Sequence, residues 1–348
     1  MMGQVGSPWR ALLAACVELP RAGLKEGVPL KLEAFVGTVE RLAWAMANGC
    51  PWETRACGLA AASGNLDVLQ WAVKHGGALN AETCDYAAAG GHLEVLQWAR
   101  QHGCPWGNAT TSGAAAGGHL EVCRWARMHG CPLTQDACTK AARGGHLEVL
   151  KWSREERCNW STRTCAEAAR GGHLEVLRWV REHGCPWDDQ HGSPELDCCA
   201  RAARGGHLEV LQWLRWENNY PWNEMTCASA ALGGHLEVLK WAREQHCAWD
   251  GETCARAAEG GLLEMLRWLR ARGCPWNEGT CALAARGGHL TLLRWAREHD
   301  CPWDSETVVE AASEGHLEVL KWARQHDCLW HAETCTVAAH GGHLDVVQ

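Results

Sequence analysis

The sequence predicts an all-α solenoid built from about eleven copies of one short two-helix unit, and three observations carry that expectation. A Trp recurs at positions 44, 71, 98, 125, 152, 179, 213, 241, 268, 295 and 322, a spacing of 27 residues broken only by intervals of 34 and 28. Aromatic usage is lopsided, with 22 Trp against 1 Phe and 2 Tyr, and 21 Cys accompany them in 348 residues. Such bias marks one unit copied many times. Finally, in the copy Thr280–Trp303, the stretch after Gly-Gly carries apolar Leu290, Leu292, Leu293, Trp295 and Ala296. On a helix these cover more than half the circumference, too broad for a lone surface helix but suited to one covered by a partner helix and by neighbouring copies.

The elements follow in order. Ser7-Pro8-Trp9-Arg10 before the apolar run Ala11–Leu19 reads as a helix with Pro in its first turn, so residues 1–30 are expected to cap the stack. Residues 31–49 read as a degenerate first copy, and one continuous array is expected over 31–348. A copy often opens at an N-cap after the loop Trp, as at Ser161, Asp188, Asn223, Asp250, Asn277 and Asp304. A first helix through Thr-Cys-x-x-Ala-Ala then stops at Gly-Gly, the usual left-handed helix end. A second helix begins near His-Leu-Glu and runs through Trp-Ala-Arg. Gly-Cys-Pro-Trp closes the copy, with Gly or a polar residue ending the helix and Pro forbidding its continuation. The chain stops inside the second helix of a truncated twelfth copy, His343–Gln348, an end that the pattern leaves uncapped.

With these residues in register, Ala141–Leu150 (A-A-R-G-G-H-L-E-V-L) and a helix ending His183-Gly184 resemble the ankyrin-repeat family. The resemblance covers roughly residues 30–348, and recurrence makes it specific. Two departures stand out. Thr-Cys-x-x-Ala-Ala replaces the family's Thr-Pro-Leu-His helix start, and the unit is about six residues shorter than the family's 33. The missing residues fall where that family carries a β-hairpin finger, so little or no β-structure is expected. The exception is the 34-residue interval, where residues 188–198 restore a longer loop.

Internal copies also weigh the reactive residue types. Nine Cys occupy the helix position and nine the loop position, spaced C-x6-C, which is not the tight pair of a structural zinc site. Thr111 and Val308 replace the helix Cys, and Gly77 and Tyr220 the loop Cys. A metal ligand does not exchange with Val, whereas a small buried hydrophobe does. The His of Gly-His-Leu is expected to bond the inter-helix turn, and the His at the end of the second helix to suit the helix dipole. Glu148-x-x-Lys151-x-x-Arg154 and its copies read as a solvated face with supporting ion pairs. No phosphate loop, nucleophile elbow or metal motif is present, so neither enzyme activity, cofactor nor metal is expected.

Function is sought where the copies differ. Two positions of the first helix vary: Tyr86, Lys140, Glu167, Arg201, Arg256 and Glu310 at one, Arg143, Arg170, Arg204, Glu259 and Arg286 at the other. They lie close to three apart and so share one helix face. The resemblance implies that this concave face binds partner proteins, as ankyrin proteins do. Lys140, Arg143, Arg170, Arg201 and Arg204 form a local run of cations, which suits an acidic partner. The expected function is therefore a protein-interaction scaffold acting as a monomer. Two alternatives are a thiol-rich metal-binding or redox protein and a substrate adaptor of a ubiquitin ligase. The net charge of −8, without a basic block, argues against nucleic acid. The longest apolar run, Ala11–Val17, is too short to span a membrane. No secretory signal is evident, so a reducing compartment, cytoplasm or nucleus, is expected. The loop 188–198, with its acids and His191, reads as a surface loop. Met2-Gly3 matches a myristoylation pattern only if translation starts at Met2.

Overall fold

The computed structural model describes residues 37–47, 56–186 and 197–347. The expected capping segment 1–30, the N-cap Asp188 and most of the 188–198 loop lie outside them. Among the described residues the secondary structure is helical throughout, with no strand. Among the described residues, no helix is long and apolar enough to cross a membrane. The chain divides into two compact units, Met1–Trp160 and Ser161–Gln348.

Both units are built the same way. A first helix such as Ala81–Ala89 or Gly251–Glu259 is followed after a two-glycine turn by a second, Leu93–Gln101 or Leu263–Ala271. Within each unit the first helices pack chiefly on the first helices of neighbouring copies, and each second helix packs on its own first helix. The small residues explain this. Cys84, Ala87 and Ala88 in one unit, and Cys254, Ala257 and Ala258 in the other, are fully buried. Side chains of that size let helix backbones approach closely on both sides. The second helix supplies the larger core residues, Val95, Leu96 and Ala99 or Met265, Leu266 and Leu269.

The N-caps act as the sequence suggests. Asn80 Oδ1 accepts from Thr83 N at 3.2 Å while Thr83 Oγ1 accepts from Asn80 N at 3.4 Å, a reciprocal capping box. Asp250 and Asp304 accept from the backbone two residues on, at 3.1 and 3.0 Å. After the longer interval, the cap is Asp197, whose Oδ1 accepts from Cys199 N and Ala200 N at 2.8 and 3.1 Å. Asn277 occupies a cap position without a side-chain bond. Asp304→Ala is therefore expected to destabilise the protein by about 1 kcal/mol, and Asn277→Ala by clearly less. Chemical denaturation of the two variants checks this, and equal losses would contradict it.

The helix ends are also as expected. Gly145, Gly172 and their copies take positive φ, 77° and 76°, and Arg157, Asn219, His246, Asp300 and Asp327 adopt the same left-handed geometry at the end of the second helix. His246, which the sequence pattern groups with the histidines ending the second helix, is instead this left-handed residue.

Candidate protein-binding face

The framework beneath the variable positions is held by three devices that the sequence only partly revealed. The first is the Gly-His-Leu histidine. It does not bond its own turn. Its ring enters the neighbouring copy, where His92 Nε2–H donates to Ala62 O at 3.1 Å and His207 Nε2–H to Arg170 O at 2.9 Å. His316 does the same to Arg286 O at 2.9 Å. Each ring thus satisfies a carbonyl that the preceding first helix leaves orphaned at its end.

The second device closes the loop. The loop thiol donates to the carbonyl of its own N-cap residue, 24 positions earlier: Cys104 to Asn80 O at 3.0 Å, Cys158 to Thr134 O at 3.3 Å and Cys247 to Asn223 O at 3.2 Å. The same thiol meets the helix thiol of its copy, as in Cys84–Cys104, Cys138–Cys158 and Cys227–Cys247. The spatial pair is therefore C-x19-C, not the C-x6-C pair that lies closer along the sequence. Where Gly77 replaces the loop thiol, a Cβ would stand 2.7 Å from Cys57 Sγ, so the helix thiol fills the space itself. Burial is the largest cause that pushes Cys57 up to about 11 and Cys123 up to about 12. Cys335 is the exposed member of the helix set. Among the described residues, no group of three or more His, Cys, Asp or Glu is arranged to hold a metal ion.

The third device corrects the reading of Arg154 and its copies as solvated. The Glu–Lys pairs of that pattern do form, at 2.7 Å for Lys151–Glu148 and Lys240–Glu237. The Arg, however, is a latch. Arg154 Nη1 donates to Cys158 O at 2.7 Å and its guanidinium lies 4.2 Å from the centroid of Trp160. Arg243 and Arg270 stack on Trp249 and Trp276 at 4.0 and 4.1 Å while bonding the carbonyls of Cys247 and Cys274. Cation–π attraction and a charge-assisted bond together hold the loop on the helix. The terminal His adds to this, since His102 Nδ1–H donates to Trp98 O at 2.8 Å with the rings stacked at 4.0 Å. The signal for the latch was present in sequence as the recurring spacing Arg-x5-Trp.

On this frame the variable positions separate by environment. In the first unit, Tyr86 is 36 % exposed and Arg143 is exposed. Lys140 is half-buried, paired with Asp136 at 3.0 Å and with Ser112 Oγ at 3.1 Å. Asp85, next to Tyr86, is pushed upward by burial, against a Thr110 hydroxyl that donates to it at 2.5 Å. In the second unit, Arg204 and Arg286 are exposed, while Arg170, Arg201, Arg256, Glu259 and Glu310 are half-buried. Arg256 sits between Glu252 and Glu259 at 2.7 and 2.8 Å. Arg286 faces Glu310 at 3.7 Å, and burial pushes the Glu310 carboxyl upward against that pull. Glu167 is a correction to the set. It is only 4 % exposed, beneath the face, with Arg201 Nη1 at 3.5 Å. The corresponding position is half-buried in most copies, and here the ion pair with Arg201 accompanies full burial.

Comparison with known proteins finds a family match over part of the chain. A family model described as ankyrin repeats (many copies) matches residues 165–215. Among solved structures, the crystal structure of the human ASB11 ankyrin repeat domain is similar at 18 % identity, covering 47 % of this chain and 84 % of that one, with a TM-score of 0.37. No curated protein matches the chain. The matched segment contains the helices Leu174–Glu182 and Cys198–Gly205, whose residues recur in register in the other copies. Residues 165–215 are thus identified as ankyrin-repeat sequence.

Proposed function

We propose that the protein is a non-enzymatic interaction scaffold that reads a partner protein with the exposed side of its first helices. The observation that carries this reading is the partition of the unit. Positions that scarcely vary between copies, the helix Cys and Ala-Ala, are buried except in the last copy, at Cys335 and Ala339, whereas the two positions that vary most are half-buried to exposed, Glu167 apart, on the same side of adjacent first helices. Each unit presents a different chemistry there. The first offers Tyr86 beside small residues, Ala62, Ala89 and Gly113, an apolar surface for an apolar contact. The second offers Arg204 and Arg286 with the acids Glu259 and Glu310, which suits a partner of mixed charge with an acidic segment against Arg204. Contacts of this kind give specificity through charge pattern more than raw affinity.

Affinity capture from source-cell lysate tests the reading unit by unit. Tyr86→Ala with Arg143→Glu alters the first unit, and Arg204→Glu with Arg286→Glu the second; circular dichroism checks that each stays helical. A protein held by the wild type should be lost with one of these variants and retained by Glu148→Gln, which lies on the second-helix side. Equal capture by all the variants would contradict the proposed face.

A further inference from the structure

On the second-helix side, one groove departs from its copies. In the second unit it lies between Leu236–Glu244 and Leu263–Ala271, with a volume of about 510 Å³ and a lining of Lys240, Arg243, Glu244, Trp249, Trp268 and Arg272. The corresponding groove of the first unit, about 450 Å³, is lined by Gln97, Arg100, Gln101, Trp125 and His129. Register equates Lys240 with Gln97 and Arg272 with His129. Arg272 is the distinctive change, since His fills that place at 75, 102, 129, 183, 299 and 326.

The cations are held in place before any ligand arrives. The Arg243 guanidinium lies 4.0 Å from the Trp249 centroid and bonds the Cys247 carbonyl. Arg272 lies over Trp268 at 5.5 Å, and the two indoles meet edge-on at 6.1 Å. Stacked guanidinium groups lose little freedom on pairing with a carboxylate. Lys240 pairs with Glu237 at 2.7 Å, but an exposed pair of this kind is weak and exchanges readily. Three cations against the single lining acid, Glu244, leave the groove positive in a chain of net charge −8.

We propose that this groove binds an acidic, extended segment of a protein partner. Its carboxylates pair with Arg243 and Arg272, and an intervening proline ring packs on the edges of Trp249 and Trp268. An extended polyproline-type segment suits an aromatic-lined groove because it is ordered before binding. Nucleic acid suits it less well, because guanidinium groups already cover the indole faces on which bases would stack.

Fluorescence anisotropy of a labelled (Glu-Pro)6 peptide against the full chain tests this. Saturable binding is expected, weakening about fivefold or more between 50 and 300 mM salt as the charges are screened. Lys240→Gln with Arg272→His rebuilds the groove with residues that the chain itself uses elsewhere, so it should stay folded by circular dichroism and bind about tenfold more weakly. The Arg204→Glu, Arg286→Glu variant should bind as the wild type does, which separates this site from the first-helix face. No saturable binding, equal binding of (Gln-Pro)6, unchanged affinity in the Lys240→Gln, Arg272→His variant, or tighter binding of a dT12 oligonucleotide would each overturn the proposal.

Discussion

Raising the pH from 8 to 10 is expected to destabilise the protein by several kcal/mol. The cause is the thiol core. Cys57, Cys123 and Cys328 are buried, and burial pushes their thiols from the ordinary value of 9.0 up to about 11, about 12 and about 11. Unfolding restores the ordinary value, so above pH 9 the unfolded chain binds fewer protons than the native one. Stability is then complete below about pH 9 and falls as pH rises toward the folded values. Each such thiol removes about 1.3 kcal/mol between pH 8 and 10, and the three together about 4 kcal/mol. In the thiol pairs the neighbouring sulfur and burial hold one member, such as Cys138 or Cys227, protonated, while the same contact lowers its partner, Cys158 or Cys247, so the pairs act in both directions. Denaturant midpoints by circular dichroism at pH 7.5, 8.5, 9.5 and 10, under reductant, would report the trend. Cys123 stands where neighbouring copies carry Leu96 and Leu150, so Cys123→Leu should flatten the fall in the first unit. A midpoint that holds steady from pH 8 to 10 would show that these thiols are not protected in the native state.

The same cysteines show how far the sequence could be read. Their burial was legible because Val308 and Thr111 replace them, and replacement by an apolar residue reports on environment. Their partners were not legible. A spacing in sequence says which residues are near along the chain, whereas Cys84 meets Cys104 only because the second helix folds back over the first. Helix type, left-handed glycines and N-caps such as Asp250 and Asp304 follow from local chemistry and were visible, whereas the cap Asp197 was not. The Arg154 latch was hidden because an Arg on a helix face looks solvated until the loop Trp160 is known to lie beneath it. Glu167 was misplaced for a similar reason: its exposure depends on Arg201 in the next copy, across a longer interval than the others. Local rules predict elements, but contacts between copies depend on how closely the first helices approach.

Gly172→Ala is expected to lose about 3 kcal/mol, while Gly273→Ala loses only about 1 to 2. Both glycines have nearly the same backbone, φ 76° and 80°, so the penalty of placing an L-residue in the left-handed region is common to both. What differs is the neighbour. A Cβ at Gly273 meets nothing within 4 Å, whereas one at Gly172 would stand 2.3 Å from His207 Nδ1. The ring must move, and its bond to Arg170 O at 2.9 Å goes with it, leaving that carbonyl unsatisfied. The chain contains its own control. Where Leu262 replaces this His, the Cβ built at Gly234 has its nearest neighbour at 3.7 Å, ordinary contact. His207→Leu should therefore relieve the clash, and Gly172→Ala made in that background should lose no more than Gly273→Ala does. Denaturation of the four proteins in this cycle gives a coupling energy of about 1 to 2 kcal/mol if the histidine is the obstacle. Strict additivity would mean that the backbone alone demands glycine and that the wedge between copies contributes nothing to the choice.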